Sequence, residues 1–253
     1  MTSPELHPTI YKHPPITEAV IGISFSSPIK QTAINSVNKK FHVHYPHSQV
    51  VSNIDFDVAV ELTNNQINKP TTKITKKDGH RLSTADMTQL LVLWPSSFTL
   101  SQLAPYPGWN QFFERFVRDW NMWKRVVGFQ TISRIGVRYI NRIDIPITEP
   151  VIEYEKYLNV YPKLPDNLNP IHAYAVQAAL ELKEIDCLLK INSAAVPSPI
   201  LDHASFVIDL DISKESNPPQ SDDDVYDLLN KIRVKKNEMF EACVSSRAKE
   251  LFQ

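Results

Sequence analysis

Between Arg134 and Pro146 apolar residues recur at every second position. Ile135, Val137, Tyr139, Ile143 and Ile145 share one side of an extended chain, interrupted only by Asn141. Arg134, Gly136, Arg138, Arg142 and Asp144 share the other, with Ile140 among them. An apolar face opposite an arginine row predicts a half-buried strand of an antiparallel sheet whose second face stays open. The same period runs through Glu18 to Ser26, with Ala19, Ile21, Ile23 and Phe25 on one side. It returns from Val50 to Leu62, where Ile54, Phe56, Val58, Val60 and Leu62 face inward against Asn53, Asp55, Asp57 and Glu61, a strand with an acidic outer edge. Asp78-Gly79 is the dipeptide that a type I′ turn prefers, which predicts a hairpin of strands at 71–77 and 80–85. Gln89 to Trp94 reads as a strand stopped by Pro95, and further strands are expected at 174–182, at 185–191 and around Phe206, Ile208, Leu210 and Ile212.

Helical spacing replaces this alternation in three places. Ile34, Val37 and Phe41 predict a short helix from Lys30 to Phe41. Trp109, Phe112, Phe113, Phe116, Val117, Trp120 and Trp123 predict a long one from Gly108 to Val127, closed by Gly128; such an aromatic stripe packs a helix onto a sheet far more often than it lines a pocket. Ser221 to Asp224 sets three aspartates at the positive end of a helix dipole, and the stripe from Val225 to Phe252 extends that helix almost to the terminus. Residues 1–17, with prolines at 4, 8, 14 and 15, predict an extended arm.

An internal match organises these elements. Val20-Ile-Gly-Ile-Ser-Phe25 and Arg134-Ile-Gly-Val-Arg-Tyr139 share a pattern at an offset of 136 − 22 = 114 residues. The same offset carries Gly108 onto Asp222 and Leu90–Trp94 onto Ala204–Ile208. The expected fold is therefore α+β: two tandem β-α-β(3–4)-α units, 18–128 and 129–253, joined in one curved antiparallel sheet with long helices on one face. By analogy this is the TATA-binding-protein arrangement, and fold analogy transfers no function.

Pro14-Pro15-Ile-Thr-Glu-Ala19, Tyr106 to Trp109, the strand from Arg134 to Pro146 and the closing Lys236-Asn-Glu-Met-Phe240 together resemble a sporadically distributed, uncharacterised family of bacterial proteins of about this length. That resemblance spans essentially the whole chain. Its sporadic distribution implies a mobile locus of the phage-defence or toxin-antitoxin type.

Composition narrows the chemistry. Over 253 residues, 27 Lys and Arg nearly balance 28 Asp and Glu, so bulk charge gives no reason to expect nucleic acid. No apolar run has membrane-spanning length and no signal-peptide core is visible, which predicts a cytoplasmic protein. Cys187 and Cys243 lack any paired spacing, as expected of buried hydrophobes. Five glycines without a phosphate-cradling motif argue against a nucleotide-driven enzyme, and neither a zincin helix nor a nucleophile elbow is present. No cofactor or metal is expected; His42, His44 and His47 read as solvated loop residues, and Lys73, Lys76, Lys77 and Arg81 as a solvated basic edge.

The candidate binding residues are Arg134, Arg138 and Arg142 on the open sheet face, with Asp209 and Asp211, and Asn141, which interrupts the apolar face. Arginine's planar fork suits either a phosphate or a carboxylate. The arginines therefore read as an ion-pair network with Asp209 and Asp211, or as a track for a polyanion. The leading functional expectation is a non-enzymatic protein that binds a protein partner encoded nearby. Its rivals are a nucleic-acid binder using the arginine row, and a metal-dependent hydrolase built on Asp209, Asp211 and His203.

Overall fold

The computed structural model describes residues 11–59, 62–63, 66–67, 71–148, 153–168 and 173–253, with side chains left out at 54–77 and 166. The expected inward set of Ile54 to Leu62, its acidic partners from Asp55 onward, and Lys73, Lys76 and Lys77 lie outside the described side chains.

Alternating segments pair into one antiparallel sheet of nine strands, in the order β2-β5-β6-β7-β1-β8-β11-β10-β9. These strands are β1 (Ile16–Phe25), β2 (His47–Ala59), β5 (Thr71–Ser83), β6 (Gln89–Trp94), β7 (Ser97–Leu103), β8 (Ile132–Pro146), β9 (Ala175–Leu182), β10 (Cys187–Val196) and β11 (His203–Lys214). The short β3 (Leu62–Thr63) and β4 (Gln66–Ile67) form a separate pair. Helices α1 (Gln31–Phe41), α2 (Trp109–Val127) and α3 (Asp222–Cys243) bury their apolar stripes in one continuous core with the inward side chains of the sheet, and α4 (Ser246–Glu250) closes the chain. The fold is thus α+β with a large antiparallel sheet. Among the described residues no helix is long and apolar enough to cross a membrane.

The aromatic stripe of α2 is core. Phe116 and Trp123 are fully buried, and Phe98 of β7 meets the rings of Phe116, Trp120 and Trp123 at 5.6–6.3 Å between centroids. Of the indole N–H groups along this stripe, that of Trp123 meets no acceptor among the described residues, whereas the other two do. Trp109 donates to Asn230 (2.9 Å) and Trp120 to Asp222 (3.0 Å), which ties α2 to α3. Gly128 at φ +80° ends α2, its N–H returning to the Lys124 carbonyl, and the Ser221 hydroxyl caps α3 by accepting from the Asp224 N–H. Both cysteines are buried and unpaired.

Strands β1 and β8 are neighbours at the middle of the sheet, and Gly22 lies directly opposite Gly136 in their register. The two sides of that pair are not built alike. In the second half, the described residues between β8 and β9 form two 3-10 turns (Tyr154–Lys156 and Asp166–Leu168) where the repeat predicts a helix. The prolines at 146, 162 and 165 explain this, because each disfavours helix at and before itself. Next to the central pair, moreover, the position of β11 is matched by β7 and not by β6.

Two further expectations are corrected. Asp78-Gly79 is not a turn: β5 runs straight through it, with Ser52 opposite Asp78 and Val51 opposite Gly79. Gly79 serves close approach instead, since a Cβ there would stand 2.6 Å from the Leu93 carbonyl and 2.8 Å from the Trp94 ring. The strand expected from Gln89 to Trp94 is β6, and Pro95 stops it. That proline sits with Ser96 at the corner of a hairpin in which Trp94 pairs with Ser97, so β7, unmarked in the sequence reading, follows at once. Finally, the C-terminal helix breaks at Val244, which is extended and bridges to Leu158, and Ser245 caps α4.

Candidate ligand cavity

The two faces of β8 do different work. On the open face the arginine row is answered by carboxylates. Arg138 grips Asp209 with two hydrogen bonds, Nε to Oδ1 at 2.8 Å and Nη2 to Oδ2 at 2.7 Å, while Asn192 donates to the same Oδ2 at 3.0 Å. Arg134 Nη2 reaches Asp211 at 2.9 Å and its Nε lies 3.3 Å from Glu215. Arg142 Nε bonds Asp144 at 3.0 Å, and Asp144 also accepts from Ser205. The Arg138 guanidinium is held above its ordinary range, first by the hydrogen bonds to Asp209. Each sequence-selected arginine thus meets a carboxylate; the pairs of Arg134 and Arg138 brace β8 against β11, whereas Arg142 and Asp144 lie on the same strand.

The same contacts occupy the side chains that the hydrolase reading needs. Asp209 and Asp211 are engaged by guanidinium groups, and the ring of His203 is 2.8 Å from the Leu201 carbonyl. His42 and His47 are exposed. Among the described residues no cluster of three or more His, Cys, Asp or Glu is arranged to take a metal ion.

Asn141 belongs to the other face. It is buried, donates to the Ile208 carbonyl at 3.0 Å and lies in the wall of a cavity of about 750 Å³. Four distant segments enclose this space: the arm at 11–16, the turn at 106–109, β8 through Tyr139 and Asn141, and α3 over 233–241, with Lys249 at the edge. The arm is fixed by the Tyr11 hydroxyl donating to Glu241 (2.6 Å), by the His13 N–H to the Phe252 carbonyl (3.0 Å) and by the Arg142 N–H to the Pro15 carbonyl (2.8 Å). Gly108, at φ +96°, turns the chain into α2 and sets Trp109 in the wall. Pro14, Pro15, Tyr106 to Trp109 and Lys236 to Phe240, three of the stretches that carry the family resemblance, converge here with the inner face of the fourth.

Lys236 is the unusual wall residue. It is only 8% exposed, and its Nζ lies 4.0 Å from the centre of the Tyr139 ring. The Tyr139 hydroxyl is in turn 2.9 Å from that of Tyr106. Burial, reinforced by the neighbouring Arg233, brings the Lys236 amine down to about 8 against a weaker opposing effect of Glu241. Burial also pushes the Tyr106 hydroxyl up to about 12 and that of Tyr139 well above its ordinary value, so both stay neutral donors. Glu241 answers Lys249 at 2.6 Å and Glu238 answers Lys235 at 2.8 Å. Among the described residues neither Lys236 nor Arg233 has a carboxylate partner.

A signal for this site does lie in the chain. Lys236 falls four residues after Ile232 and four before Phe240, a lysine on the buried stripe of its own helix, just as Asn141 interrupts the apolar face of β8. The open-face arginines draw the eye first because three charges in register look more like a site than one misplaced lysine.

No family model matches the chain, and no curated protein does. Among solved structures, that of DynU16, a protein of the dynemicin biosynthetic locus, overlaps 94% of this chain and 99% of its own at 10% identity, with a TM-score of 0.23. An overlap at that score does not establish a shared fold.

Proposed function

We propose that this chain is a binding protein for a small organic anion with an aromatic or apolar body, held in the cavity between β8, α3 and the turn before α2. The observation that carries this reading is the pair Arg233 and Lys236, two cations one helical turn apart on a cavity wall, neither with a carboxylate partner among the described residues. Burying an ammonium group without a counter-ion is costly, and a ligand anion would supply the missing charge. Tyr106, Trp109, Tyr139 and Phe240 offer ring faces and edges to the rest of such a molecule. The volume lies in the range of small-molecule sites. Titration with the fluorescent aromatic anion 1-anilinonaphthalene-8-sulfonate tests this: saturable one-site binding is expected, weakened in Arg233→Gln.

A second reading keeps the protein partner. β9 is the last strand of the sheet and Leu180 on it is 46% exposed, so its outer backbone edge would accept a strand from an effector encoded nearby. The ion-paired open face gives less support to a nucleic-acid track, since its guanidinium groups already hold carboxylates. An origin by duplication, in the manner of the TATA-binding protein, is supported by the Gly22–Gly136 pair at the centre of the sheet and by one long helix after each set of strands. A cytoplasmic site of action is part of the same proposal.

A further inference from the structure

We infer that Lys236 binds its ligand covalently, its amine condensing with the carbonyl group of an oxo acid whose carboxylate is held by Arg233. This rests on the reading of the cavity as an organic-anion site and narrows the ligand to acids that carry an aldehyde or ketone near the carboxylate.

Placement is the first argument. Residues three apart on a helix bring their Cβ atoms within about 5–6 Å, so the Arg233 fork and the Lys236 amine reach neighbouring groups of one small molecule. Lys236 has no hydrogen bond or ion pair among the described residues, while the Tyr139 ring supports its amine from one side at 4.0 Å. Among residues with described side chains it is the only buried lysine.

Electrostatics is the second. The charged groups that line the cavity with Lys236 are Arg233, Glu238 and Glu241 on α3, Lys249 on α4 and Lys12 on the arm, with Tyr106 and Tyr139 neutral and Glu238 paired with Lys235. Glu241 is already shared by Lys249 and the Tyr11 hydroxyl. Burial and Arg233 bring the amine to about 8, so roughly a tenth is the free base at neutral pH and about half at pH 8, the form that attacks a carbonyl.

The step balances without a redox partner. The nitrogen lone pair forms the C–N bond, the carbonyl π bond breaks, and the oxygen leaves as water with both amine protons, giving a neutral imine. Hydrolysis returns amine and oxo acid, so the linkage is reversible.

Phenylpyruvate, an aromatic 2-oxo acid, tests the proposal, with phenyllactate as the matched acid that has a hydroxyl in place of the carbonyl. The wild-type chain is incubated with phenylpyruvate and cyanoborohydride, which reduces an imine to a stable secondary amine, and the product is mapped by peptide mass spectrometry. Expected is one dominant adduct at Lys236, formed faster as pH rises through about 8 and suppressed by excess phenyllactate. Labelling should be about tenfold slower in Arg233→Gln, a variant that leaves the amine in place. If phenyllactate and phenylpyruvate both displace the anilinonaphthalene probe but Lys236 labels no faster than exposed lysines, the covalent step is wrong and the anion site stands. If the probe itself does not bind, both readings fall.

Discussion

The Lys236 amine and the Tyr139 ring are stacked at 4.0 Å between a helix and the central strand on which it packs, at the wall of a cavity and without an ion-pair partner among the described residues. A lysine in that position costs stability in its charged form, because its desolvation is answered only by a ring face and by Glu241, which forms no ion pair with it.

That cost has a pH signature. The folded-state amine lies near 8 and the unfolded one near the ordinary 10.5, so between these values the unfolded chain holds the extra proton and stability rises with pH. Below pH 8 the penalty is fully present. Lys236→Met removes it, so the variant is expected to be more stable than wild type at neutral pH, with a gap that narrows towards pH 10.5. Tyrosines that titrate above 10 act on both chains and largely cancel in the difference. Urea unfolding of the two proteins across this range measures the gap; a constant gap would show that the Lys236 amine titrates at its ordinary value.

On the opposite face of β8, Arg138 and the nearly buried Asp209 form a two-bond pair. Arg138→Ala leaves that carboxylate with Asn192 alone and is expected to cost about 1–3 kcal/mol. Adding Asp209→Ala should restore part of the loss, and the chain should show no salt-sensitive affinity for single-stranded RNA or DNA. An unchanged unfolding midpoint in Arg138→Ala, together with salt-sensitive binding, would return the arginine row to the nucleic-acid reading.

The central glycines differ in what surrounds them. A Cβ on Gly136 would stand 2.9 Å from the Ser213 Cβ and 3.0 Å from the Ile212 carbonyl, whereas one on Gly22 meets only the Thr99 hydroxyl at 4.0 Å. Gly136→Ala is expected to destabilise by about 1–3 kcal/mol, and Gly22→Ala to be neutral or to stabilise by up to about 1 kcal/mol. Equal effects in thermal unfolding would mean that the two strands are packed alike.

Much of this architecture is legible in the residues because burial imposes its period directly. The inward face of β8, the aromatic stripe of α2, the cap at Ser221 and the stop at Gly128 all follow from local pattern. Asp78-Gly79 misleads because two physical needs select the same residue: glycine serves a tight turn, and it also lets a straight strand pass the Trp94 ring. Pro95 does stop β6, and what goes unmarked is the immediate return of the chain as β7 beyond that corner. The arginine row is visible in the sequence, as are Asp209 and Asp211 as partners for it, but which arginine meets which of them is fixed by the pairing of β8 with β11, and Arg142 turns instead to Asp144 on its own strand. The cavity is the least legible feature. Its walls come from four segments joined only by tertiary packing, and its sequence trace is two polar residues, Asn141 and Lys236, on otherwise buried faces.

Equilibrium titration of 1-anilinonaphthalene-8-sulfonate into the folded wild-type chain, Arg233→Gln and Lys236→Met tests the anion site most directly. One saturable site is expected in the wild type, displaced by phenyllactate and weakened about tenfold or more in each variant. Wild-type affinity should also fall as pH rises through about 8, where Lys236 loses its charge, and should stay level there in Lys236→Met. Absence of saturable binding to the wild type, or equal affinity in all three proteins, would contradict the assignment of this cavity as an organic-anion site.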